Sequence, residues 1–220
     1  MSRPSEHPIT CEGCGDQQKF TAWDSINATL NPELKDRLVK GDLNTFVCPS
    51  CSHRTTVEYG TLYHDMERRY MIALQLDEQE PRNELATLHE SERGILEGYR
   101  FRLVHSRPEL IDKIHVLDHG FDDRRFELFR LLVRGRLADD GISLDADVYF
   151  EGREDPVQGE AELNFALVSK DRTDYFSVPV EQYEEFDLQF PPLPPEPEEP
   201  FGKWIRVDAK YVTDLVPRPE

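Results

Sequence analysis

The four cysteines of this chain form two CxxC pairs, and this pattern limits the possible folds more than any other feature of the sequence. Cys11 and Cys14 form the first pair, Cys48 and Cys51 form the second, and no cysteine is left over. Two CxxC turns supply the four soft donors that a tetrahedral Zn²⁺ ion needs. The spacing therefore predicts one structural zinc ion, with no coordination position open for catalysis.

Redox chemistry is the alternative for the second pair, CPSC. A dithiol oxidoreductase places its cysteines at a helix N-terminus, where the helix dipole lowers the thiol pKa. The residues after this pair, SHRTTVEY, are instead typical of a β-strand. Metal-binding knuckles often turn left-handed at the residue after the second cysteine, and we expect that conformation at Gly15 and Ser52. The sequence therefore favours metal binding.

The net charge of −18 is concentrated towards the C-terminus. Asp and Glu outnumber Lys and Arg by 19 to 7 in residues 141–220, so that third of the chain carries −12 of the total. Such a surface repels phosphate backbones, which disfavours nucleic acid and favours either a basic protein partner or a simple role in solubility. No apolar run approaches the roughly 18 residues of a membrane helix. Because the N-terminus also lacks the apolar stretch of a signal peptide, we expect a cytoplasmic protein.

The apolar pattern predicts an α+β chain in three segments. Residues 1–76 form a two-knuckle zinc ribbon, with a helix over 31–41 inserted between the knuckles. Residues 84–140 combine a strand with an αα-hairpin, because apolar residues recur there at helical spacing. Residues 141–220 alternate apolar and polar residues, which predicts an acidic antiparallel β-sheet domain with a proline-rich spacer at 190–200.

Finer patterns locate the elements of the second and third segments. Residues 99–104 alternate like a strand, and Pro108 opens a helix that is expected to stop near Gly120. Asp122 or Asp123 then caps a strongly apolar second helix. In the last segment, alternation predicts strands through Ala161, Leu163, Phe165 and Leu167, through Phe176, Val178 and Val180, and through Ile205, Val207, Ala209 and Tyr211.

Several longer motifs extend beyond the cysteines. The stretch from Phe20 to Leu76 carries DSIN, NPELK, CPSC and LYHD, and the segment that starts at Tyr99 carries GFDDR. In these motifs the chain resembles the CpXC family of bacterial proteins over roughly residues 9–136. It departs from the family pattern in CEGC, which lacks the proline, and in Ser52, which replaces a glycine. Neither departure removes a thiolate, so the resemblance implies the fold and a zinc site, but no reaction.

A polar cluster at the predicted helix junction is a second candidate site. It contains His115, Asp118, His119 and Asp122, and two histidines four residues apart can share a metal on one helix face. Gly120 is expected to end the helix at this point. That position favours a helix C-terminus followed by an aspartate N-cap over a metal site.

A third polar cluster lies at a predicted hairpin tip. His64 and Asp65 are followed closely by Arg68 and Arg69. The cluster is either a polar surface site or an ordinary charged turn, and the turn is the simpler interpretation.

The leading functional hypothesis is a zinc-binding cytosolic adaptor, not an enzyme, that binds a protein partner through its acidic C-terminal segment. Phosphate-loop, dinucleotide-binding, nucleophile-elbow and zincin motifs are all absent from the sequence. The candidate partner-binding residues are four carboxylates in one short stretch: Glu181, Glu184, Glu185 and Asp187.

Two alternatives stay open. One is a nucleic-acid-associated zinc ribbon in transcription or RNA handling, which would use basic residues of the nearly neutral N-terminal segment: Lys35, Arg37, Lys40 and Arg54. The other is an enzyme with a site at the His115/His119 junction.

Overall fold

A computed structural model describes four stretches of the chain: residues 1–77, 93–142, 145–196 and 203–216. The chain forms two compact units. The N-terminal unit holds the described residues up to Leu110 together with 203–205, and the C-terminal unit holds the other described residues. The start of the second predicted segment, residue 84, lies outside the described residues.

The described part of the N-terminal unit contains a five-stranded sheet and a separate two-stranded hairpin. The five strands lie in the order β1-β2-β5-β6-β7, and β3 pairs with β4. Pairing is antiparallel for β1–β2, β5–β6 and β3–β4, and parallel for β2–β5 and β6–β7. The strands are β1 (Arg3–Thr10), β2 (Gln17–Asn27), β3 (Thr45–Val47), β4 (Arg54–Thr56), β5 (Thr61–Asp65), β6 (Tyr70–Leu74) and β7 (Arg100–Val104).

One face of the large sheet is buried along a row that crosses four strands. Ile26 pairs with Tyr63, Tyr63 with Ile72, and Ile72 with Arg102, so all four side chains lie on the same face. All four are at most 1% exposed. Burial of Ile26, Tyr63 and Ile72 is a hydrophobic reason that β2, β5 and β6 stay in register.

The predicted helix between the knuckles is confirmed as α1 (Pro32–Val39). Its buried side chains are Leu34 and Leu38, one turn apart, and Pro32 occupies the first turn, where a missing N–H costs nothing. Gly41 follows with φ of 76°, a conformation that glycine adopts without a steric penalty.

The strand predicted over 99–104 is β7, and it belongs to the N-terminal sheet. The sequence prediction grouped this strand with the helices of residues 84–140. Its parallel pairing with β6 joins it to the cysteine-containing unit instead, because parallel neighbours are set by long connections that local periodicity does not reveal.

The C-terminal unit packs helices against a three-stranded antiparallel sheet of order β10-β9-β8. The predicted helix pair is present, and α2 runs across the division between the units. The elements are α2 (Arg107–Asp118), α3 (Asp123–Asp139), β8 (Asp147–Glu154), β9 (Glu162–Val168), β10 (Thr173–Pro179), α4 (Val180–Gln189) and α5 (Ala209–Leu215).

Aromatic rings fill the core of the C-terminal unit. Phe126 of α3, Phe150 of β8 and Phe165 of β9 are fully buried, and Tyr183 of α4 packs on Phe126. Ring centroids are 4.8 Å apart for Phe126–Phe150 and 5.6 Å apart for Phe150–Phe165. These tilted contacts join one helix to two strands through large apolar surfaces.

A buried ionic network ties the same helices to the sheet. The Asp112 carboxylate in α2 accepts hydrogen bonds from the Arg130 guanidinium in α3 at 2.7 and 2.8 Å and from the Phe150 N–H at 2.7 Å. Burial lowers the pKa of Arg130, but Asp112 and Glu127 raise it more, so the guanidinium stays charged. The sequence prediction did not include this network, since nothing in local periodicity marks it.

The antiparallel sheet predicted for residues 141–220 is wrong at two places, where helices form instead. Residues 180–189 form α4, because Val180, Tyr183 and Phe186 recur at helical spacing and pack against the core. Residues 209–215 form α5, whose N-cap Asp208 accepts a hydrogen bond from the Tyr211 N–H at 2.9 Å. Two-residue alternation over such short stretches does not separate a strand from a helix.

The described part of the proline-rich spacer, residues 190–196, forms neither helix nor strand. Its carbonyl groups are held by two arginines of α3: Arg125 donates to the Pro191 carbonyl and Arg124 to that of Pro194, at 3.3 and 2.7 Å. Residues 197–200 of the predicted spacer lie outside the described residues.

Candidate metal centre

Each CxxC pair lies in a turn between two antiparallel strands. The first pair joins β1 to β2, and the second joins β3 to β4. The two turns close identically: the Gly15 N–H donates to the Cys11 carbonyl and the Ser52 N–H to the Cys48 carbonyl, both at 2.8 Å. Gly15 and Ser52 have φ of 75° and 61°, which confirms the left-handed conformation expected after each pair.

The four cysteine sulfurs lie close together around one centre. Sγ of Cys11 is 3.6 Å from Sγ of Cys51, and Sγ of Cys14 is 3.7 Å from Sγ of Cys48. All four lie within 4.8 Å of one another, and all four thiols are free of disulfides. Four sulfurs bound tetrahedrally at about 2.3 Å from one ion are about 3.8 Å apart. The cluster is therefore compatible with a single metal ion at its centre.

Backbone N–H groups around the cluster favour thiolates, while the neighbouring thiols lower the pKa of Cys48 and raise that of Cys14. Burial raises the pKa of Cys48, but the N–H groups of Ser50 and Cys51 outweigh it and lower the pKa to about 7. The Asp16 N–H lowers the pKa of Cys14, but Cys51 and desolvation outweigh it and raise the pKa to about 12. Protons and a metal cation thus compete for the same four sulfurs.

A small apolar cluster packs against the two CxxC turns. Cys11 and Cys48 are buried with Phe20, and the Phe20 ring contacts Tyr59 edge-on with centroids 5.8 Å apart. The other two cysteines, Cys14 and Cys51, are exposed. One sulfur of each pair is thus anchored in the core, and the other faces the surface.

Contacts between the two turns supplement the cysteines, and the sequence prediction missed them. The Ser50 hydroxyl donates to Asp16, and this bond, with a second from Gln18, lowers the pKa of the Asp16 carboxyl. Gly13 faces His53 so closely that an added Cβ would lie 2.9 Å from the His53 Cβ. The sequence indicates these contacts only in part, through a glycine and small polar residues inside and beside the CxxC turns.

A family model described as CpXC protein matches residues 9–130, which is more than half of the chain and contains all four cysteines. The chain belongs to the CpXC family. No curated protein and no solved structure matches it. The CpXC match starts in β1 and ends inside α3, so the acidic residues of the C-terminal third lie beyond it.

The histidines at the helix junction have structural contacts. The His119 ring bonds the His115 carbonyl through Nδ1 at 2.7 Å and accepts from the Arg153 N–H through Nε2 at 3.3 Å. Of the two predicted cap residues, Asp122 is the N-cap of α3, and it accepts from the Arg124 N–H at 2.9 Å. Within the described residues, the cysteines are the one group of three or more His, Cys, Asp or Glu side chains placed to hold a metal.

The polar cluster at the hairpin tip forms the turn between β5 and β6. The buried Asp65 carboxylate accepts from the Arg68 N–H at 2.9 Å and from its guanidinium at 3.2 Å, which closes the turn. His64 points elsewhere, with its Nε2 3.2 Å from the Tyr99 hydroxyl. Arg69 adopts φ of 54° where the chain reverses. These contacts agree with a charged turn.

The four carboxylates predicted to bind a partner all lie on α4, but they differ in their surroundings. Glu181, Glu184 and Glu185 are exposed. Asp187 instead accepts from the Arg125 guanidinium at 2.6 Å, and its carbonyl accepts from the same group at 2.9 Å. Asp187 therefore anchors α4 to α3, and the three glutamates form what we call the acidic face of α4.

Among the described residues, no helix is both long enough and apolar enough to cross a membrane.

Proposed function

We propose that this CpXC protein is a protein-interaction module in which a Zn²⁺ ion stabilises the N-terminal unit and the acidic face of α4 contacts a basic partner. The observation that carries the zinc half is the meeting of four sulfurs, with pairs at 3.6 and 3.7 Å. A tetrahedral set of four thiolates is typical of zinc or of iron–sulfur sites, and zinc is the usual ion where the role is structural.

The arrangement favours a structural ion over a catalytic one. Four protein sulfurs fill a tetrahedral sphere, so no position is left for a water or a substrate. The ion would link two hairpins whose shared core contains few large side chains, among them Phe20 and Phe46. Metal binding in such small modules supplies much of the folding free energy, about 10 kcal/mol or more in isolated zinc fingers.

The partner half of the proposal comes from charge. Helix α4, with the sequence VEQYEEFDLQ, contains four acidic residues and no basic one. Within the described residues, Glu181, Glu184 and Glu185 have no partner within ion-pair distance. Unpaired surface carboxylates steer a basic surface during association, and rim charges of this kind act mainly on the association rate.

Two experiments test the two halves. Elemental analysis and the visible spectrum of the purified chain distinguish zinc, which is colourless, from iron bound by thiolates, which absorbs visible light. Partner capture by the wild type is then compared with that by a variant in which Glu181, Glu184 and Glu185 are all changed to Gln. The matched control changes three exposed glutamates elsewhere in the unit, Glu154, Glu160 and Glu162, and has the same net charge.

The proposal expects the α4 variant to lose partner capture and the control variant to keep it. Equal loss in both variants would show that net charge alone is responsible, and the specific role of α4 would be wrong. The nucleic-acid and enzymatic alternatives stay predictions, since neither gains a specific structural observation.

A further inference from the structure

An open groove runs along helices α3 and α4 in the C-terminal unit. Each helix contributes four side chains spaced i, i+3, i+4 and i+7, beginning at Phe129 in α3 and at Gln182 in α4. Residues at this spacing share one helix face over two turns, or about 10 Å. The cavity between the two faces has a volume of about 340 Å³.

The floor of the groove is apolar and one of its walls is exposed. Phe129, Val133, Phe186 and Phe190 line it, and the Leu132 side chain is 52% exposed to solvent. A leucine in that position leaves apolar surface in contact with water unless another molecule covers it. The groove is therefore suited to receiving apolar side chains.

The polar rim is acidic on the α4 side. Glu185 lines the groove and, with Glu181 and Glu184, makes up the acidic face of α4. On the α3 side, the Arg136 guanidinium is already hydrogen-bonded to Gln182 of the rim. Gln182 is neutral and leaves the Arg136 charge in place, so three glutamates against one arginine give the rim a net charge of −2, which is complementary to a basic molecule.

We propose that this groove binds an amphipathic helix of a partner protein. Apolar side chains of that helix at i, i+3 or i+4, and i+7 lie against Phe129, Leu132 and Phe186, and its Lys or Arg side chains lie beside Glu181 and Glu185. A second copy of this chain is the weaker occupant, because a twofold contact would bring two acidic faces together. The inference deepens the proposed partner-binding role of α4 and rests on it.

The test uses the full-length, metal-loaded chain and three labelled synthetic peptides of about 18 residues, long enough to cover the groove. The first has Leu at the spacing given above and Lys elsewhere. The second has the same composition in scrambled order, and the third replaces every Lys by Glu. Fluorescence anisotropy is expected to show binding of the first peptide, at least about tenfold weaker binding of the second, and no binding of the third.

Two leucine variants locate the binding. Leu132→Ser removes an apolar wall of the groove and is expected to weaken binding by about tenfold. Leu188→Ser is the matched control, because Leu188 is 87% exposed on α4 but does not line the groove, and it is expected to leave binding unchanged. Circular dichroism checks that both variants fold, and peptide-induced NMR shifts on the wild type give a second location independent of mutation.

Several outcomes would overturn the inference. These are equal binding of the ordered and scrambled peptides, equal effects of the two leucine changes, or NMR shifts outside α3 and α4. Self-association that Leu132→Ser abolishes and Leu188→Ser preserves would assign the groove to a second copy of the chain. If the α4 glutamates prove necessary for partner capture while Leu132→Ser is harmless, the proposed function stands and the groove does not. If neither change affects capture, both proposals fail.

Discussion

We expect the two CxxC turns to respond to mutation in opposite directions, according to the residue that follows each pair. Gly15 and Ser52 both have φ near +60 to +75°, but only Gly15 is free of a side-chain penalty there. A residue with a Cβ pays roughly 1–2 kcal/mol in this conformation. Gly15→Ala therefore adds about 1–2 kcal/mol of backbone strain without a steric clash, since no atom lies within 4 Å of the added Cβ. Alanine is also less free than glycine in the unfolded chain, so the expected net cost is roughly 0.5–1 kcal/mol.

Ser52→Gly relieves the same strain in the second turn. The extra conformational freedom of glycine in the unfolded chain offsets part of this gain, by about 0.5–1 kcal/mol. The net result is a gain of roughly 0.5–1 kcal/mol in the free energy of unfolding. The departure from the CpXC motif at Ser52 would then be a small loss of stability that a single substitution reverses.

Urea denaturation followed by tryptophan fluorescence measures both changes. The two tryptophans of the chain, Trp23 and Trp204, belong to the N-terminal unit, so their signal follows the unit that contains the cysteines. Gly94→Ala is the control in the same unit: Gly94 has no positive φ and open space around it, so this variant should be as stable as wild type or more stable by up to about 1 kcal/mol. A harmless Gly15→Ala, or a Ser52→Gly variant less stable than wild type, would refute the reasoning.

Three further predictions concern buried and titrating groups. Asp112→Ala should cost about 3 kcal/mol, because it leaves the Phe150 N–H without this acceptor and takes from the buried Arg130 guanidinium one of its two carboxylate partners, Asp112 and Glu127. A loss below about 1 kcal/mol in urea unfolding would show that the network is not buried in solution. The pKa of Asp122 is lowered because Arg124 outweighs burial, so the carboxylate stabilises the folded state at neutral pH and loses that effect as the pH falls through its folded pKa. The stability difference between wild type and Asp122→Asn should therefore shrink from about pH 7 to about pH 3, and a difference that grows would contradict the assignment. Cys48→Ser should abolish the tryptophan unfolding transition while circular dichroism retains the signal of the C-terminal unit, and an unchanged tryptophan transition would rule out metal-dependent folding.

Local signals were sufficient for the cysteine cluster and for several helix ends. The CxxC turns place two sulfurs each by backbone geometry alone, and the left-handed residues 15 and 52 follow from the same geometry. Pro32, Gly41 and Asp122 mark helix ends by their own conformational or hydrogen-bonding properties. Each of these features is decided by a few neighbouring residues, which is why the sequence alone predicts them.

Features that depend on distant residues could not be predicted in the same way. Strand β1, with the sequence RPSEHPIT, contains two prolines and one large aliphatic residue, and it forms because it pairs with β2 along its length. The alternation of Val178 and Val180 predicted a strand where α4 begins. The helix forms there because Tyr183 packs on Phe126, which is distant in sequence. The groove beside α4 depends on that same packing, so no sequence motif predicts it.

The central claim is that one zinc ion joins the two CxxC turns, and metal analysis combined with X-ray absorption of the purified, reduced chain tests it most directly. The account predicts close to one zinc per chain, surrounded by four sulfurs at about 2.3 Å. Protein without metal, a disulfide within either cysteine pair, or nitrogen and oxygen in the first coordination sphere would contradict it.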